Sequence, residues 1–227
     1  MSPRQFYGTP PPGADPALLG GKLVVIEGAD GSGRSTQIAQ LNNWLERNGH
    51  ATVQVGLRRS TLVMAELDQA KKGNILGRTT MALFYATDFA DQLDNIILPA
   101  LRAGFVVLAD RYIYTLMARA IVRGCDRPWL ESLYGLAVIP DVVFYVKVSP
   151  QILAERNFQK NAALDYWESG MDIGLSADMF ESFVKYQRLM EREFTRMGEQ
   201  YGFQVLDGNR SVKVIAADLQ KRVEAVL

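Results

Sequence analysis

Residues 28–36 read Gly-Ala-Asp-Gly-Ser-Gly-Arg-Ser-Thr and lie between an apolar run, 23–26, and a segment of helical character, 37–48. A strand, a glycine turn and a helix in this order form the setting of a phosphate-binding loop. Glycines let backbone N–H groups turn towards a polyphosphate, and the start of a helix adds partial positive charge. The spacing Gly-x-x-x-x-Gly-Lys-Ser is met at every position but one, because Arg34 stands where the pattern has lysine. The stretch therefore predicts a phosphate site with an altered cation.

The composition narrows the class of protein. A chain of 227 residues predicts one α/β domain, and 25 basic against 25 acidic residues argue against a nucleic acid polymer as partner. Cys125 is the single cysteine and His50 the single histidine, which argues against a disulfide framework, a cysteine metal cluster and histidine-based nucleophilic catalysis. No apolar run reaches ~18 residues, and the first residues lack a secretory pattern. We therefore expect a cytoplasmic protein with no membrane span.

Beyond the loop, short apolar runs alternate with helical segments. Five runs predict strands, at 22–27, 51–55, 105–109, 141–146 and 202–206. Their spacing suits right-handed βαβ crossovers, so the sequence predicts the three-layer α/β/α fold of P-loop NTPases with a five-stranded parallel sheet. Residues 1–21, rich in proline and glycine, predict a flexible N-terminal arm before a single domain, 22–227. The irregular stretch 158–176 is predicted to be a lid over the site.

Two groups of charged residues follow predicted strands. Asp110 and Arg111 come directly after the third strand, where an acid can hold a Mg²⁺ shell and an arginine can neutralise a transferring phosphoryl group. The alternative is a helix-starting aspartate beside a solvated arginine, and the position facing the loop favours function. Arg58 and Arg59 follow the second strand, at the edge where open α/β sheets bind ligands. An ordinary solvated loop explains this pair equally well.

Aromatic residues recur in the predicted helix 78–102, among them Phe84, Tyr85 and Phe89. Such a row at helical spacing usually packs in the core, although one of the rings could stack on a base. In the predicted lid, Arg156 and Lys160 are the cations available to a phosphate, beside several acids. That is a small supply of positive charge for a lid.

Several separated pieces of this chain resemble the thymidylate kinase family of nucleoside monophosphate kinases. The matching pieces are Glu27-Gly28-x-Asp30-Gly31-x-Gly33-x-Ser35-Thr36-Gln37, Leu83-Phe84-Tyr85-Ala86, Pro99-Ala100-Leu101-x-x-Gly104, Asp110-Arg111-Tyr112, Pro140-Asp141 and Ser149-Pro150. They run in the family's order over residues 22–215. The resemblance implies strand order 2-3-1-4-5, transfer of the γ-phosphoryl group of ATP to a nucleoside monophosphate with Mg²⁺, and a homodimer.

The resemblance also implies roles for individual residues. The ATP phosphates would lie against Gly28, Gly31, Ser32, Gly33, Arg34, Ser35 and Thr36. The metal would be held by Ser35 and, through water, by Asp110. Catalysis would fall to Arg34, Arg111 and Asp30. The acceptor would contact Asp30, Arg58, Arg59, Phe84, Tyr85, Phe89, Tyr112 and Arg119.

The chain departs from the family pattern at the positions that read the acceptor base and move the phosphoryl group. The family's base-reading arginine falls on Phe89, its stacking phenylalanine on Tyr85, and its Tyr-Gln pair on Arg119 and Ala120. Arg34 replaces the loop lysine, and this exchange is not conservative, since a planar guanidinium differs from a compact ammonium.

Three functional hypotheses follow from these matches and departures. The first is a working phosphotransferase whose acceptor is altered, since positioning and charge are what phosphoryl transfer requires. The second is a catalytically impaired, kinase-like module that binds nucleotide or serves as a scaffold. The third, a hydrolysing NTPase switch, has less support because no residue is arranged to position a water.

Overall fold

The computed structural model describes residues 3–57, 60, 62, 65, 67, 69, 76–161 and 163–227, without the side chains of residues 160 and 161. Five parallel strands form one sheet in the order β2-β3-β1-β4-β5. Their bounds are β1 Lys22–Glu27, β2 Thr52–Gly56, β3 Val106–Asp110, β4 Val142–Lys147 and β5 Gln204–Asp207. The predicted strand order is therefore confirmed.

Helices cover both faces of the sheet. Those of the described residues are α1 Arg34–Arg47, α2 Arg78–Gln92, α3 Leu98–Arg102, α4 Ile113–Val122, α5 Arg127–Leu133, α6 Pro150–Asn161, α7 Met179–Tyr201 and α8 Val212–Glu224. A π-helical turn, Leu93–Ile97, joins α2 to α3 just before Pro99. The sequence predicts one helical stretch here with a kink near Pro99, and the wider turn fits a proline that cannot donate a backbone hydrogen bond.

The side chains of β1 alternate between two separate cores. Leu23 and Val25 belong to the core on the side of α2, α4 and α7. Val24 and Ile26 belong to the core on the side of α1 and α8. A central strand that is apolar on both faces is the expected signature of a parallel sheet between two helical layers. The three-layer architecture thus follows from the unbroken apolar run that precedes the glycine loop.

The amino-terminal segment packs against the domain, which differs from the flexible arm that its prolines and glycines predict. Phe6 forms an antiparallel bridge with Val138, and Tyr7 N donates to Ala137 O at 3.0 Å. The hydroxyls of Tyr7 and Tyr114 share a hydrogen bond of 2.5 Å. These partners lie more than 100 residues away in the chain, so local composition carries no sign of them.

Within the part of the chain that the structure describes, no helix is both long and apolar enough to cross a membrane.

The carboxyl edge of the sheet brings the glycine loop and the charged residues after β3 together. In the parallel register, Ile26 of β1 lies beside Asp110 of β3, and Glu27 lies beside Tyr145 of β4. The glycine loop that leaves β1 and the charged residues that leave β3 are therefore neighbours in space.

Candidate active site

The glycine loop turns tightly between β1 and α1. Gly31 and Gly33 have φ values of 83° and 90°, in the left-handed region that side chains disfavour. A Cβ on Gly28 would lie 2.9 Å from Ser32 Oγ and 3.0 Å from Val146 O, which leaves no room for a side chain. The hydroxyl of Ser32 is buried and has no hydrogen-bond partner among the described residues. A polar atom in that state is available to an incoming ligand.

Arg34, in the position of the usual lysine, is folded into the base of the loop and is only 6% exposed. Its Nε donates to Asp110 Oδ1 at 2.5 Å, and its Nη1 donates to Gly28 O and, at 3.3 Å, to Ala29 O. Burial and the neighbouring Arg111 lower the pKa of Arg34, and Asp110 opposes them. An arginine stays protonated under ordinary conditions. The cation is therefore present and is bound to the acid that ends β3.

Asp110 connects Arg34 with the first turn of α1. Its Oδ1 accepts from Arg34, and its Oδ2 accepts from Ser35 Oγ at 3.3 Å. Hydroxyl and carboxylate oxygens are ligands that Mg²⁺ prefers. The structure thus brings together Ser35 and Asp110, the pair for which the sequence predicts a metal site.

Arg111 has a φ of 70°, and it is the one non-glycine residue in the described ranges with a positive φ. Its Nη2 makes an ion pair with Asp30 Oδ1 at 2.6 Å, and its Nε donates to Gly28 O at 3.4 Å. A left-handed backbone at a side-chain-bearing residue is strained, and such strain concentrates at functional sites. Arg111 therefore lies against the glycine loop from the β3 side.

Asp30 is surrounded by cations. The distance from its carboxylate oxygens to the Nη2 atom is 2.6 Å for Arg111, 3.8 Å for Arg34 and 3.9 Å for Arg119. Burial alone would raise the pKa of Asp30, but the charges of Arg111, Arg119 and Arg34 together hold it well below its usual range. The carboxylate is therefore charged. Because the side chain is 42% exposed, it can also be reached from the cleft. Asp30, Arg34, Arg111 and Arg119 form one cluster beside the glycine loop.

A pocket opens beside this cluster, between α2, α4 and the predicted lid. Its lining residues are Arg78, Met81, Ala82, Tyr85, Leu116, Arg119, Ala120, Arg123, Trp167 and Glu168. Arg119 donates to the carboxylate of Glu168. Burial raises the pKa of Glu168, and the charge of Arg119 opposes that rise. The pocket thus combines aromatic rings with an internal ion pair.

The aromatic residues predicted to contact an acceptor separate into two groups. Tyr85 lines the pocket, whereas Phe84 packs on the core without lining it. Phe89 is 5% exposed and packs edge to face on Tyr112, with ring centroids 5.2 Å apart. The hydroxyl of Tyr112 donates to Val138 O at 3.0 Å. Phe89 and Tyr112 are therefore core residues beneath the site, and for Phe89 this is the position that helical spacing alone suggests.

Arg156 on α6, which the sequence groups with the lid cations, lies just before the predicted lid segment. Its Nη1 donates to Gly31 O at 3.4 Å and its Nη2 to Gly208 O at 3.2 Å, so it joins the glycine loop to the turn after β5. Thr36 is exposed and lines the cleft. Arg58, Arg59 and the side chain of Lys160 lie outside the described residues.

Several pocket residues carry no functional signal of their own in the sequence. Trp167 and Glu168 fall in an irregular stretch, and Arg78 and Arg123 fall in an ordinary helix and turn. One signal was present: Arg119 and Arg123 are four residues apart, as are Glu168 and Asp172, and the two pairs join. Only the fold brings these segments together.

The sheet order and the glycine loop at the end of β1 define a P-loop NTPase of α/β type. Comparison with protein families gives a match to the thymidylate kinase model over residues 26–219. The chain belongs to the thymidylate kinase family, and the resemblance inferred from the separated motifs is confirmed.

Individual relatives agree with this assignment. A probable thymidylate kinase 2 from Saccharolobus solfataricus is 37% identical over 202 residues, covering 88% of this chain and 94% of the relative. A probable thymidylate kinase from Thermococcus kodakarensis is 27% identical over 215 residues, covering 90% and 98%. A thymidylate kinase from Caldicellulosiruptor saccharolyticus is 36% identical over 148 residues, covering 60% and 69%. The match to the first two relatives extends over nearly the whole of both chains.

Proposed function

We propose that this protein transfers the γ-phosphoryl group of ATP to a nucleoside monophosphate, and that thymidylate is the first acceptor to test. The observation that carries the proposal is the convergence of Arg34, Arg111, Asp30 and Asp110 around one glycine loop. Phosphoryl transfer depends on positioning and on electrostatic stabilisation rather than on covalent catalysis. The cluster supplies both.

The glycine loop suits a nucleoside triphosphate with its metal ion. Ser32 has a buried hydroxyl with no partner among the described residues, Gly28 lies too close to Ser32 and Val146 for any side chain, and Ser35 and Asp110 form a pair of oxygen ligands. ATP would supply the phosphoryl group, and Mg²⁺ would neutralise charge on its oxygens. In this arrangement the glycine loop holds the phosphates, and Arg34 and Arg111 place positive charge where negative charge develops.

The acceptor would enter the pocket beside Arg111. Tyr85 and Trp167 offer aromatic faces for a base, while Asp30 lies between the pocket and the loop and is suited to the acceptor sugar. Arg119 borders both cavities and reaches towards Asp30 and Glu168. Arg58 and Arg59 stay proposed ligands of the acceptor phosphate. Because Phe89 is a core residue, base recognition falls to the pocket lining.

Two further features complete the proposal. We infer a homodimer, as in the family pattern, and Leu83 on α2, 45% exposed, is an apolar side chain suited to a subunit contact. Light scattering coupled to size-exclusion chromatography tests this, and a monomer mass would contradict it. We also propose a cytoplasmic location, consistent with the single cysteine.

A second function, an impaired kinase-like module, rests on one observation. Arg34 is already bound to Asp110 and to loop carbonyls, so the nucleotide phosphates compete with these contacts for the guanidinium. If the contacts persist when nucleotide binds, the cation does not follow the transferring group. The protein would then bind nucleotide without efficient turnover.

One experiment separates the two functions. The purified protein is incubated with MgATP and a panel of nucleoside monophosphates, beside an Arg34→Lys variant. Arg47→Lys, an exposed change at the end of α1, is the control. Turnover by the native protein supports the kinase, and turnover by the Arg34→Lys variant alone supports the impaired module. Absence of turnover in both, with no shift of melting temperature by MgATP, rejects both functions.

A further inference from the structure

Glu27, the last residue of β1, has a fully buried carboxylate that faces the start of α4. Its Oε1 accepts from Tyr112 N at 2.9 Å and from Thr115 N at 3.3 Å. Its Oε2 accepts from Thr115 Oγ1 at 2.5 Å. Both oxygens are therefore engaged by the first turn of a helix that belongs to another part of the chain.

This contact replaces a local helix cap. The first N–H groups of any helix lack partners within the helix, and a Ser, Thr, Asp or Asn at the N-cap usually accepts from one of them. The N-cap of α4 is Tyr112, whose side chain makes no such bond. Glu27 supplies the acceptor from β1, and its carboxylate lies at the positive end of the helix. Burial raises the pKa of Glu27, while the hydrogen bonds from Thr115 and Tyr112 oppose the rise.

Two hydrogen bonds, accepted by consecutive residues of β1, hold the backbone at Arg111. Its own backbone N donates to Ile26 O at 3.1 Å, and the next N–H, that of Tyr112, donates to Glu27. Between these two bonds, Arg111 has the strained φ of 70°. A non-glycine residue keeps such a conformation only where its surroundings impose it. Here the bonds accepted by Ile26 O and Glu27 Oε1 fix the backbone on both sides of the residue.

The strained backbone aims the Arg111 side chain at the glycine loop. The guanidinium reaches Asp30 and Gly28 O, and Gly28 directly follows Glu27 in the chain. The end of β1 thus carries the loop on one side and fixes Arg111 on the other. We infer that Glu27 is the positioning residue of Arg111: it holds the backbone of Arg111 so that the guanidinium stays in contact with the phosphate loop. The effect of Glu27 on turnover rests on the proposed function.

A purely structural role would give different results. If Glu27 only stabilised α4, its replacement would lower the melting temperature, and the folded protein would keep its turnover number. If it acts through Arg111, turnover falls while KM for ATP is kept. The loss then depends on whether Arg111 is present, because residues that act as a unit are not additive.

The test uses the full chain with Glu27→Gln, which keeps the shape and one acceptor oxygen, and with Thr115→Val, which removes the hydroxyl donor. Glu199→Gln, exposed on α7, is the matched control. We expect Glu27→Gln to lower kcat about tenfold in the native background and to have little further effect in Arg111→Lys. Equal fold-losses in both backgrounds would overturn the inference.

A second measurement does not depend on enzyme activity. Hydrogen exchange followed by mass spectrometry reports on the backbone amides of residues 110–115 in the protein without nucleotide. In Glu27→Gln these amides are expected to exchange about tenfold faster, while those in the middle of α1 keep their rates. Unchanged exchange at 110–115 would overturn the inference even if no acceptor were found. Faster exchange in a protein without turnover would show that Glu27 holds this part of the backbone, and the absence of turnover would count only against the proposed function.

Discussion

Arg123, the residue that caps the carboxyl end of α4, binds Asp172 in the predicted lid through two hydrogen bonds, of 2.7 and 3.1 Å. The same guanidinium donates to Tyr186 Oη at 2.8 Å and to Trp167 O at 3.0 Å. One turn earlier on α4, Arg119 donates to Glu168. Two arginines, one in the last turn of α4 and one at its C-cap, thus hold the segment that covers the pocket, and they do so from inside the protein.

Replacing Arg123 should destabilise the whole domain. Its side chain is 8% exposed and that of Asp172 is 7% exposed, so Arg123→Met leaves a buried carboxylate without its partner. We expect a loss of about 3 kcal/mol in the free energy of unfolding, measured by urea denaturation. Arg188→Met, exposed on α7, is the control. A loss below about 1 kcal/mol would mean that the lid segment contributes little to folding.

Removing the charge of Arg34 should lower turnover strongly. Arg34→Met deletes the cation next to the phosphate loop and leaves Asp110 with Ser35 as a partner. We expect kcat to fall by about 100-fold or more, the usual cost of losing one charge-stabilising group in a transition state. Arg47→Met, on the exposed end of the same helix, should retain activity. Native-like turnover in Arg34→Met would exclude Arg34 from the chemistry.

Two adjacent rings on α2 should differ in their effect on the acceptor. Tyr85 lines the pocket, and Phe84 does not. We expect Tyr85→Leu to raise KM for the nucleoside monophosphate about tenfold through lost stacking, with KM for ATP unchanged. Phe84→Leu is the matched control and should leave both values near native. The reverse result would place the acceptor base on the other side of α2.

Stability should fall in alkaline solution because of buried phenols. Burial raises the pKa of Tyr114, and the adjacent Tyr7 adds to the effect. Burial likewise raises the pKa of Tyr201, to about 12. A phenol that ionises only after unfolding favours the unfolded state above its unfolded pKa of about 10, so stability is complete below pH 10 and declines as pH rises.

Tyr114→Phe isolates this contribution, since it removes one phenol and keeps the ring. Between pH 10 and 11 its free energy of unfolding should decline less steeply than that of the native protein, by about 1 kcal/mol per pH unit. Urea unfolding at several pH values measures the slope, and Tyr166→Phe, at an exposed ring, is the control. Identical slopes for native and Tyr114→Phe would show that this phenol does not contribute.

The sequence predicts those parts of the fold that follow from local pattern. The apolar run before Gly28 indicates a central strand, and the motifs resembling the thymidylate kinase family imply the strand order that the structure has. The spacing of Gly28 and Gly33 predicts a tight glycine turn after this strand, and the structure has one. These predictions succeed because each depends on residues that are close in the chain or on a recognised motif.

The remaining features depend on contacts between distant segments. Tyr7 meets Tyr114, Glu27 meets Thr115, and Arg119 meets Glu168, at separations of 107, 88 and 49 residues. The sequence around either residue of a pair gives no indication of the other residue. Phe89 is a related case, because its aligned position in the family suggests a ligand contact while its place on the helix directs it into the core. The packing of the core therefore determines where the ring of Phe89 lies.

The position of Trp167 gives this protein an optical reporter. The chain has three tryptophans, and Trp44 and Trp129 lie away from the pocket, on α1 and α5. Trp167 lines the pocket, and its ring lies 5.8 Å from the guanidinium carbon of Arg123. A molecule that enters the pocket changes the surroundings of that indole. Titrations can therefore be followed by intrinsic fluorescence, with Trp167→Phe as the reference that gives the signal of the other two tryptophans, and no chemical label is required.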